Sequence, residues 1–287
     1  MIRFAAFSAF MNPKYLSIRW WRGALIPRAR VLRASLGFKP KVIYKTVEGA
    51  TFKFFLSSPS ATVWYGDARS DVSIEMRFLR DRIVRPGCRV LEIGSHHGYT
   101  TMMLSRWVGD HGKVYALEPI PDNVRVLKRN IELNAVENIK VVPVAVGPLA
   151  GKITLLDETN GSVVSGRHLK RAVEVDVVTV DDFCAAEGFV PDLVKMDVEG
   201  FELKILEGAA GVLQRRPALH IEIHPYHIRE YGGTVDQLWD FIDTNAYELW
   251  CQADVVSEVQ RIDGPIKIVD SACIYCIPVN RTDNATR

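Results

Sequence analysis

Two glycines that follow a short apolar run are the first residues in this sequence whose spacing predicts chemistry. Gly94 and Gly98 come directly after Val90 to Ile93, a run that contains one carboxylate, Glu92. Such a run is typical of a short buried parallel strand, and the glycines predict a tight turn into a helix that begins near Tyr99. A glycine turn at the carboxyl end of a parallel strand marks a ligand crevice. The sequence therefore predicts a ligand site at the end of this strand.

The spacing of the glycines indicates which ligand to expect. A dinucleotide site uses Gly-x-Gly-x-x-Gly, in which the middle glycine lets the backbone approach a diphosphate, but His96 occupies that position here. The next apolar run, 113–117, ends at Glu118, about where the second strand of such a unit places the acid that binds a ribose. A carboxylate there can accept hydrogen bonds from two vicinal hydroxyls. An adenosine without a diphosphate predicts S-adenosylmethionine (SAM) as the cofactor.

Acidic residues follow a second apolar run, Leu193 to Met196, which we predict to be the fourth strand. Asp197 comes directly after it, and two glutamates follow within the next five residues. Methyl transfer to a hydroxyl requires an aligned acceptor and a group that removes a proton. By position, we expect Asp197 to lie nearest the transfer. Glu222 and His224, at the edge of the fifth predicted strand, are candidates for the base, and we favour His224 because its ordinary pKa is near neutral.

These segments resemble the FkbM family of SAM-dependent methyltransferases. The resemblance covers roughly residues 75 to 225, and Lys195–Glu202 is its most specific part. The sequence departs from the family pattern at Glu92, where Asp is more common, and at Ser95 and His96, where the family more often has Ala and Asn. The other segments that carry the resemblance are Glu92–Thr101, Leu117–Pro119 and Asn130–Asn134.

The resemblance implies a class I methyltransferase fold with SAM as the cofactor. It also implies O-methylation of a hydroxyl on a sugar, a glycolipid or a secondary metabolite, so the expected partner is a small-molecule or glycan acceptor. In this interpretation Glu92 braces the glycine loop. The predicted cofactor-binding residues are Glu92, Gly94, Ser95, Gly98 and Glu118, and the predicted catalytic residues are Asp197 and His224.

The elements that must position these residues alternate between strand and helix patterns, which predicts an α/β fold with a doubly wound, Rossmann-like sheet. A closing antiparallel strand pair is predicted at Tyr247–Cys251 and Ser271–Pro278. Residues 151–180 form an insertion that we expect to serve as a substrate wall. The pattern further predicts a short strand pair in residues 41–65, a helix from Val72 to Ile83 that covers the crevice, a third strand from Ile139 to Val146, and a helix from Phe201 to Val212.

The charge of the chain is unevenly distributed. The 287 residues carry a formal net charge of +2, but residues 1–47 contain ten Lys and Arg and no Asp or Glu, which leaves −8 for the rest. We therefore divide the chain into a basic N-terminal extension, 1–47, and a methyltransferase domain, 48–287. For the extension we leave four interpretations open: a membrane-surface helix, a nucleic-acid arm, an organelle transit segment, and a basic segment packed beside the domain.

The composition also bears on membrane insertion, the cellular compartment and metal binding. No apolar run approaches the roughly 20 residues that span a bilayer, and the odd number of five cysteines favours a reducing compartment. We predict a cytoplasmic protein, with contact between the extension and a membrane surface left open. His96 and His97 lie near Asp197 in this interpretation, but the spacing does not support a metal, so none is predicted.

Two other functions stay open at this point. An RNA methyltransferase would use the basic extension to bind phosphates, although the net charge of −8 on residues 48–287 argues against nucleic acid as a partner. A noncatalytic protein with the SAM-binding fold would bind a partner through the insertion, and would not need Asp197.

Overall fold

The structure is a computed structural model that describes residues 37–65, 72–156 and 172–279. The chain divides into two compact units, residues 1–70 and 71–287. Most of the basic extension lies outside the described residues, as does the polar loop of the insertion. The division at residue 47 and the four interpretations of the extension therefore stay predictions.

The described part of the first unit is a hairpin followed by a helix. Strand β1 (Lys41–Val47) pairs antiparallel with β2 (Ala50–Leu56). Glu48 and Gly49 connect them with φ angles of 50° and 75°, and positive φ at both positions is what a two-residue hairpin turn of type I′ requires. The predicted strand pair is confirmed, but it ends earlier than residue 65. Helix α1 (Pro59–Tyr65) follows. It begins with a proline, a residue that is common at the first helical position.

The second unit is built on an eight-stranded mixed sheet. Five strands run parallel at its centre, and one antiparallel strand inserts between them and an edge pair. In spatial order the strands are β12 (Gln260–Ile262), β11 (Tyr247–Gln252), β13 (Ala272–Pro278), β10 (Ala218–Ile223), β9 (Leu193–Met196), β3 (Arg89–Ile93), β4 (Lys113–Leu117) and β5 (Ile139–Val142).

This order confirms the predicted doubly wound α/β fold. The chain runs outward from β3 through β4 to β5, and then returns to the other side of β3 with β9 and β10. The strand order therefore reverses between β3 and β9, and open α/β sheets bind ligands at such a switch point, outside the carboxyl ends of the strands. The predicted closing pair is also confirmed, because β11 and β13 pair antiparallel.

The helices connect the strands and cover the sheet. Their ends carry familiar signals: Ser73 caps α2 by accepting a hydrogen bond from the Met76 amide, and Gly98 precedes α3 in a left-handed conformation. The helices are α2 (Ile74–Phe78, continued by a π-helical turn to Ile83), α3 (Tyr99–Val108), α4 (Pro121–Asn134), α5 (Val180–Glu187), α6 (Glu202–Glu207), α7 (Ala210–Gln214), α8 (Pro225–Glu230) and α9 (Leu238–Phe241).

Two predicted elements are interrupted. The predicted third strand, Ile139–Val146, ends at Val142, because Pro143 has no amide proton to continue the ladder. The chain then enters a separate three-stranded sheet formed by β6 (Ala145–Val146), β7 (Gly151–Leu156) and β8 (Ala172–Val178). The predicted helix 201–212 is divided into α6 and α7 at Gly208, where a side chain would press against the Gly147 carbonyl oxygen.

Candidate active site

The glycine loop lies between β3 and α3, at the switch point of the sheet. Gly94 has a φ of 85°, and a Cβ there would overlap the carbonyl oxygen of Asp197 on the neighbouring strand. Gly98 has a φ of 84°, and a Cβ there would overlap the Leu127 side chain. Both positions require glycine, since left-handed backbone and close packing coincide. At these two positions the loop therefore presents backbone without side chains at the carboxyl edge of the sheet, where a ligand is expected to bind.

Glu118 at the end of β4 holds this loop in place. Its Oε2 accepts a hydrogen bond of 2.8 Å from the His96 amide, and its Oε1 accepts bonds from the Ile120 amide at 2.9 Å and the Asn123 side chain at 3.1 Å. A carboxylate offers about four acceptor positions. Three of them are used by the protein, and burial raises the pKa of Glu118. Its predicted contact with two ribose hydroxyls stays a prediction, and the three hydrogen bonds leave at most one of the four acceptor positions for it.

Glu92 links the end of β3 to helix α3. Its Oε2 accepts a 2.5 Å hydrogen bond from the Thr101 hydroxyl, and Ser95 donates to the Glu92 carbonyl oxygen at 3.3 Å. Burial raises the pKa of Glu92 to about 7, although the charge of Lys195 and the hydrogen bond from Thr101 act in the opposite direction. This geometry agrees with the expected bracing role of Glu92. The predicted contacts of Glu92 and Ser95 with the cofactor remain untested.

The raised pKa of Glu92 predicts a pH-dependent stability. Because the folded protein holds this proton more tightly than the unfolded chain, the stabilising contribution is complete below about pH 4.5 and is lost as the pH rises toward 7. A shift of this size corresponds to about 3 kcal/mol. We expect Glu92→Gln to remove this part of the pH dependence, as measured by urea unfolding between pH 4.5 and 8.

The same substitution at the exposed Glu258 controls for the loss of a carboxylate. Wild-type and Glu92→Gln proteins whose unfolding free energies run parallel across this pH range would contradict the assignment.

A second group of functional side chains lies at the carboxyl ends of β9 and β10. His224 Nδ1 is 2.8 Å from Oε1 of Glu202, a side chain with no exposed surface. The other ring nitrogen, Nε2, faces three carboxylates at longer range. It lies 3.9 Å from Asp197 Oδ1, 3.7 Å from Glu199 Oε2 and 3.7 Å from Glu222 Oε1. The structure therefore brings together the two predicted catalytic residues, Asp197 and His224, with three glutamates.

The protonation state of His224 follows from these neighbours. Burial lowers its pKa, but the hydrogen bond with Glu202 and the charges of Glu202, Glu199 and Asp197 together outweigh burial and raise the pKa to about 9. The imidazole is therefore a cation at neutral pH. As a base His224 would have to act in its minor, neutral form, and its catalytic role stays a prediction.

A row of buried polar side chains continues from this group beneath α2. Glu92, Lys195 and His220 are neighbours across β3, β9 and β10, and alternation places their side chains on one face of the sheet. Glu75 of α2 lies over this face, with its Oε1 3.6 Å from His220 Nε2. Sequence analysis missed this row. Its only signal was charged residues at interior positions of otherwise apolar strands.

The fold and the site define a class of protein, the class I, Rossmann-like methyltransferases. Its marks here are the glycine loop at the switch point and Glu118, the acid that follows β4. The family model for the methyltransferase FkbM domain matches residues 92–249. The chain belongs to the FkbM methyltransferase family. This match confirms the resemblance predicted from the sequence, together with the class, SAM-dependent methyltransferase, and its cofactor, SAM.

Similarity to individual proteins is more limited. A protein-L-isoaspartate O-methyltransferase from Methanococcoides burtonii is 37% identical over 59 residues, which cover 21% of this chain and 29% of that protein. Protein-L-isoaspartate O-methyltransferase 1 from Archaeoglobus fulgidus is 28% identical over 123 residues, 40% of this chain and 56% of that protein. The chain thus spans less than two thirds of these curated relatives. A solved SAM-dependent O-methyltransferase from Thermotoga maritima aligns with a TM-score of 0.42 and 13% identity, covering 84% of this chain and 78% of that one.

Two further findings concern membrane-spanning helices and metal binding. Within residues 37–65, 72–156 and 172–279, no helix combines the length and the apolar character needed to cross a membrane. The ligand atoms of Asp197, Glu199 and His224 lie within 4.8 Å of one another. The sequence analysis predicted no metal, and the residues it considered for one were His96 and His97 with Asp197, not this group.

Proposed function

We propose that the protein transfers the methyl group of SAM to a hydroxyl oxygen of a sugar, a glycolipid or a secondary metabolite. The observation that carries this proposal is the position of Asp197. Its backbone carbonyl packs against Gly94 of the cofactor loop, and its side chain faces His224 with Glu199 and Glu222 nearby. A methyl donor on the loop and an acceptor over the carboxylates would therefore meet at this residue.

The carboxylates at this site support a hydroxyl as the methyl acceptor. SAM, when bound, supplies the activated methyl group, so the chain has to align the acceptor and remove its proton. Carboxylates accept hydrogen bonds from hydroxyls, and Asp197 and Glu222 reach this edge from two adjacent strands. Because His224 is held as a cation by Glu202, and burial raises the pKa of Glu222 to about 8, we assign proton removal to Asp197 and give His224 the role of orienting Asp197 and balancing its charge.

The same acidity favours a neutral acceptor over a polyanionic one. Four carboxylates surround His224, and a phosphate backbone entering this edge would meet repulsion. This supports the choice of a hydroxylated small molecule or glycan over RNA.

The proposal predicts effects of different size at two positions. We expect Asp197→Asn to lower the rate of methyl transfer by roughly 10²- to 10⁴-fold, the usual contribution of a positioned proton acceptor. Glu222→Gln should lower the rate less, because glutamine resembles the protonated carboxyl that burial favours at Glu222. The measurement is formation of S-adenosylhomocysteine from SAM with a panel of sugars, glycolipids and hydroxylated metabolites, with tRNA and rRNA in parallel. Asp263→Asn, at an exposed loop position, serves as the matched control.

Two results would overturn the proposal. One is the absence of SAM binding by isothermal calorimetry. The other is methyl incorporation into RNA, with none into any hydroxylated small molecule or glycan.

A further inference from the structure

Lys195 is a buried cation in the middle of the main sheet. It is only 3% exposed, and its register partners are Glu92 on β3 and His220 on β10. Neighbouring strands lie about 4.8 Å apart, so both partners flank the lysine on one face of the sheet. A buried ammonium is stable only where carboxylates compensate its charge. The carboxylates around Lys195 therefore explain its position.

Four carboxylates act on the Lys195 ammonium, and the effect of Asp197 is the largest. Burial lowers the pKa of Lys195, but the charges of Asp197, Glu75, Glu92 and Glu222 outweigh burial and raise this pKa above its ordinary value. Asp197 follows Lys195 by two residues at the end of β9, and alternation along a strand places both side chains on the same face. Lys195 is therefore a permanent cation beside Asp197.

The other three carboxylates show what burial does to an acid in this row. Burial raises the pKa of Glu75, the pKa of Glu92 to about 7 and the pKa of Glu222 to about 8, although Lys195 acts in the opposite direction on each of them. Glu222 is thus mostly protonated at neutral pH. A carboxylate that has to accept a proton here must escape this effect of burial.

Asp197 is fixed between two cations. Its amide donates a hydrogen bond of 3.1 Å to the Ile93 carbonyl oxygen, and its own carbonyl packs against Gly94, which anchors its backbone to β3. His224 Nε2 lies 3.9 Å from Asp197 Oδ1, and the His224 side chain is 12% exposed. Lys195, by contrast, is enclosed by the sheet. Its charge therefore stays beside Asp197 whatever enters the site.

We propose that Lys195 is a positioning residue for methyl transfer, whose buried ammonium keeps Asp197 ionised once SAM and the acceptor have excluded water from the carboxyl edge of the sheet. Loss of water destabilises a carboxylate, so without a neighbouring cation Asp197 would take up a proton as Glu222 does. The acceptor's proton moves to Asp197, and Lys195 neither gains nor loses one. This role rests on the proposed function, because it requires Asp197 to be the proton acceptor.

Other charged groups act on Asp197 as well, and most of them oppose its ionisation. In residues 72–156 and 172–279, two cations favour the ionised form, and acids from α2, β3, β4, β10, β13 and the loop after β9 favour the neutral form. The cations are Lys195 and His224, and the acids are Glu75, Glu92, Glu118, Glu222, Cys273 and Glu199. Removal of one cation from this surplus of acids should make Asp197 easier to protonate.

The test compares Lys195→Met, which removes the charge, with Lys195→Arg, which keeps it. Carbon-13 in the aspartate carboxyl groups reports protonation by NMR, and Asp197→Asn assigns the signal. In Lys195→Met we expect the midpoint of the Asp197 titration to move to higher pH by about one to three units, the usual effect of one opposite charge at close range. In Lys195→Arg it should stay near the wild-type value. Lys128→Met, on the exposed face of α4, is the matched control.

The pH profile of kcat at saturating SAM gives a second readout. On its acidic side Lys195→Met should be at least about tenfold slower than the wild type, because the ionised fraction falls tenfold for each unit, and the rate should recover as the pH rises. A lysine with a purely structural role would lower the rate by one factor at every pH. That result, or an unmoved titration of Asp197, would overturn the inference.

A paired variant covers the case in which Lys195→Met does not fold. Removing the lysine alone leaves Glu92 as an uncompensated buried acid, which is destabilising. Lys195→Met combined with Glu92→Gln removes both charges, and should show the same shift relative to Glu92→Gln alone.

The titration does not depend on turnover, so the two proposals can fail separately. A shifted titration in a protein that methylates no hydroxyl would overturn the proposed function and leave the electrostatic role of Lys195. Methyl transfer to a hydroxyl with an unmoved titration would do the reverse.

Discussion

Alanine in place of Gly94 is expected to destabilise the protein by roughly 2–6 kcal/mol and to abolish SAM binding. Two costs add at this position. A non-glycine residue at a φ of 85° costs of order 1–3 kcal/mol, and the new methyl group would overlap the carbonyl oxygen of Asp197, a backbone atom that cannot rotate away. Overpacking of this kind costs a further 1–3 kcal/mol or more. The measurements are urea unfolding and calorimetric titration with SAM.

Gly109 provides a control that separates the two costs. It also has a positive φ, 65°, but a Cβ there would meet no atom within 4 Å. Gly109→Ala should therefore carry only the backbone cost and should bind SAM normally. Equal stability of Gly94→Ala and Gly109→Ala, with SAM binding retained in both, would show that the loop does not depend on close contact between β3 and β9.

The sheet was the most predictable part of the fold because its strands are strongly marked in the sequence. Leu193–Met196 and Ala218–Ile223 are apolar runs bounded by breakers, and the structure places β9 and β10 at the predicted residues. Where the predicted end of a strand or helix was wrong, the true end depends on contacts with distant residues, which patterns in a single sequence do not contain. The helix after β9 breaks at Gly208 because of a carbonyl from Gly147, sixty-one residues earlier.

The candidate site was predictable in its members but not in its electrostatics. Strand ends placed Asp197 and His224 at one edge, because parallel strands share their carboxyl side. The expectation that His224 acts as a base used its ordinary pKa, whereas the fold surrounds it with four carboxylates. Which carboxylates reach the imidazole ring depends on the left-handed backbone at Glu199, which has a φ of 52°. Sequence patterns do not predict that conformation for a glutamate.

Replacement of Glu118 by alanine is expected to affect stability and cofactor binding together. The carboxylate satisfies three donors: the amides of His96 and Ile120 and the side chain of Asn123. Leaving buried donors without acceptors costs about 1–3 kcal/mol each, so for three donors we expect a loss of roughly 3–9 kcal/mol in the free energy of unfolding. The glycine loop loses its anchor to β4 at the same time.

The cofactor contributes a second, separable effect. If the fourth acceptor position of Glu118 binds a ribose hydroxyl, that charged hydrogen bond is worth about 1.5–3 kcal/mol, which corresponds to roughly a 10- to 100-fold weaker affinity for SAM in Glu118→Ala. Glu118→Gln keeps one oxygen, and with it the acceptor for Ile120 and Asn123, but its amide cannot accept from His96 or from a hydroxyl. It should therefore be more stable than Glu118→Ala while binding SAM nearly as weakly. Asp122→Asn, at the exposed start of α4, controls for charge, and unchanged SAM affinity in Glu118→Gln would exclude Glu118 from the cofactor site while leaving its role as the anchor of the loop.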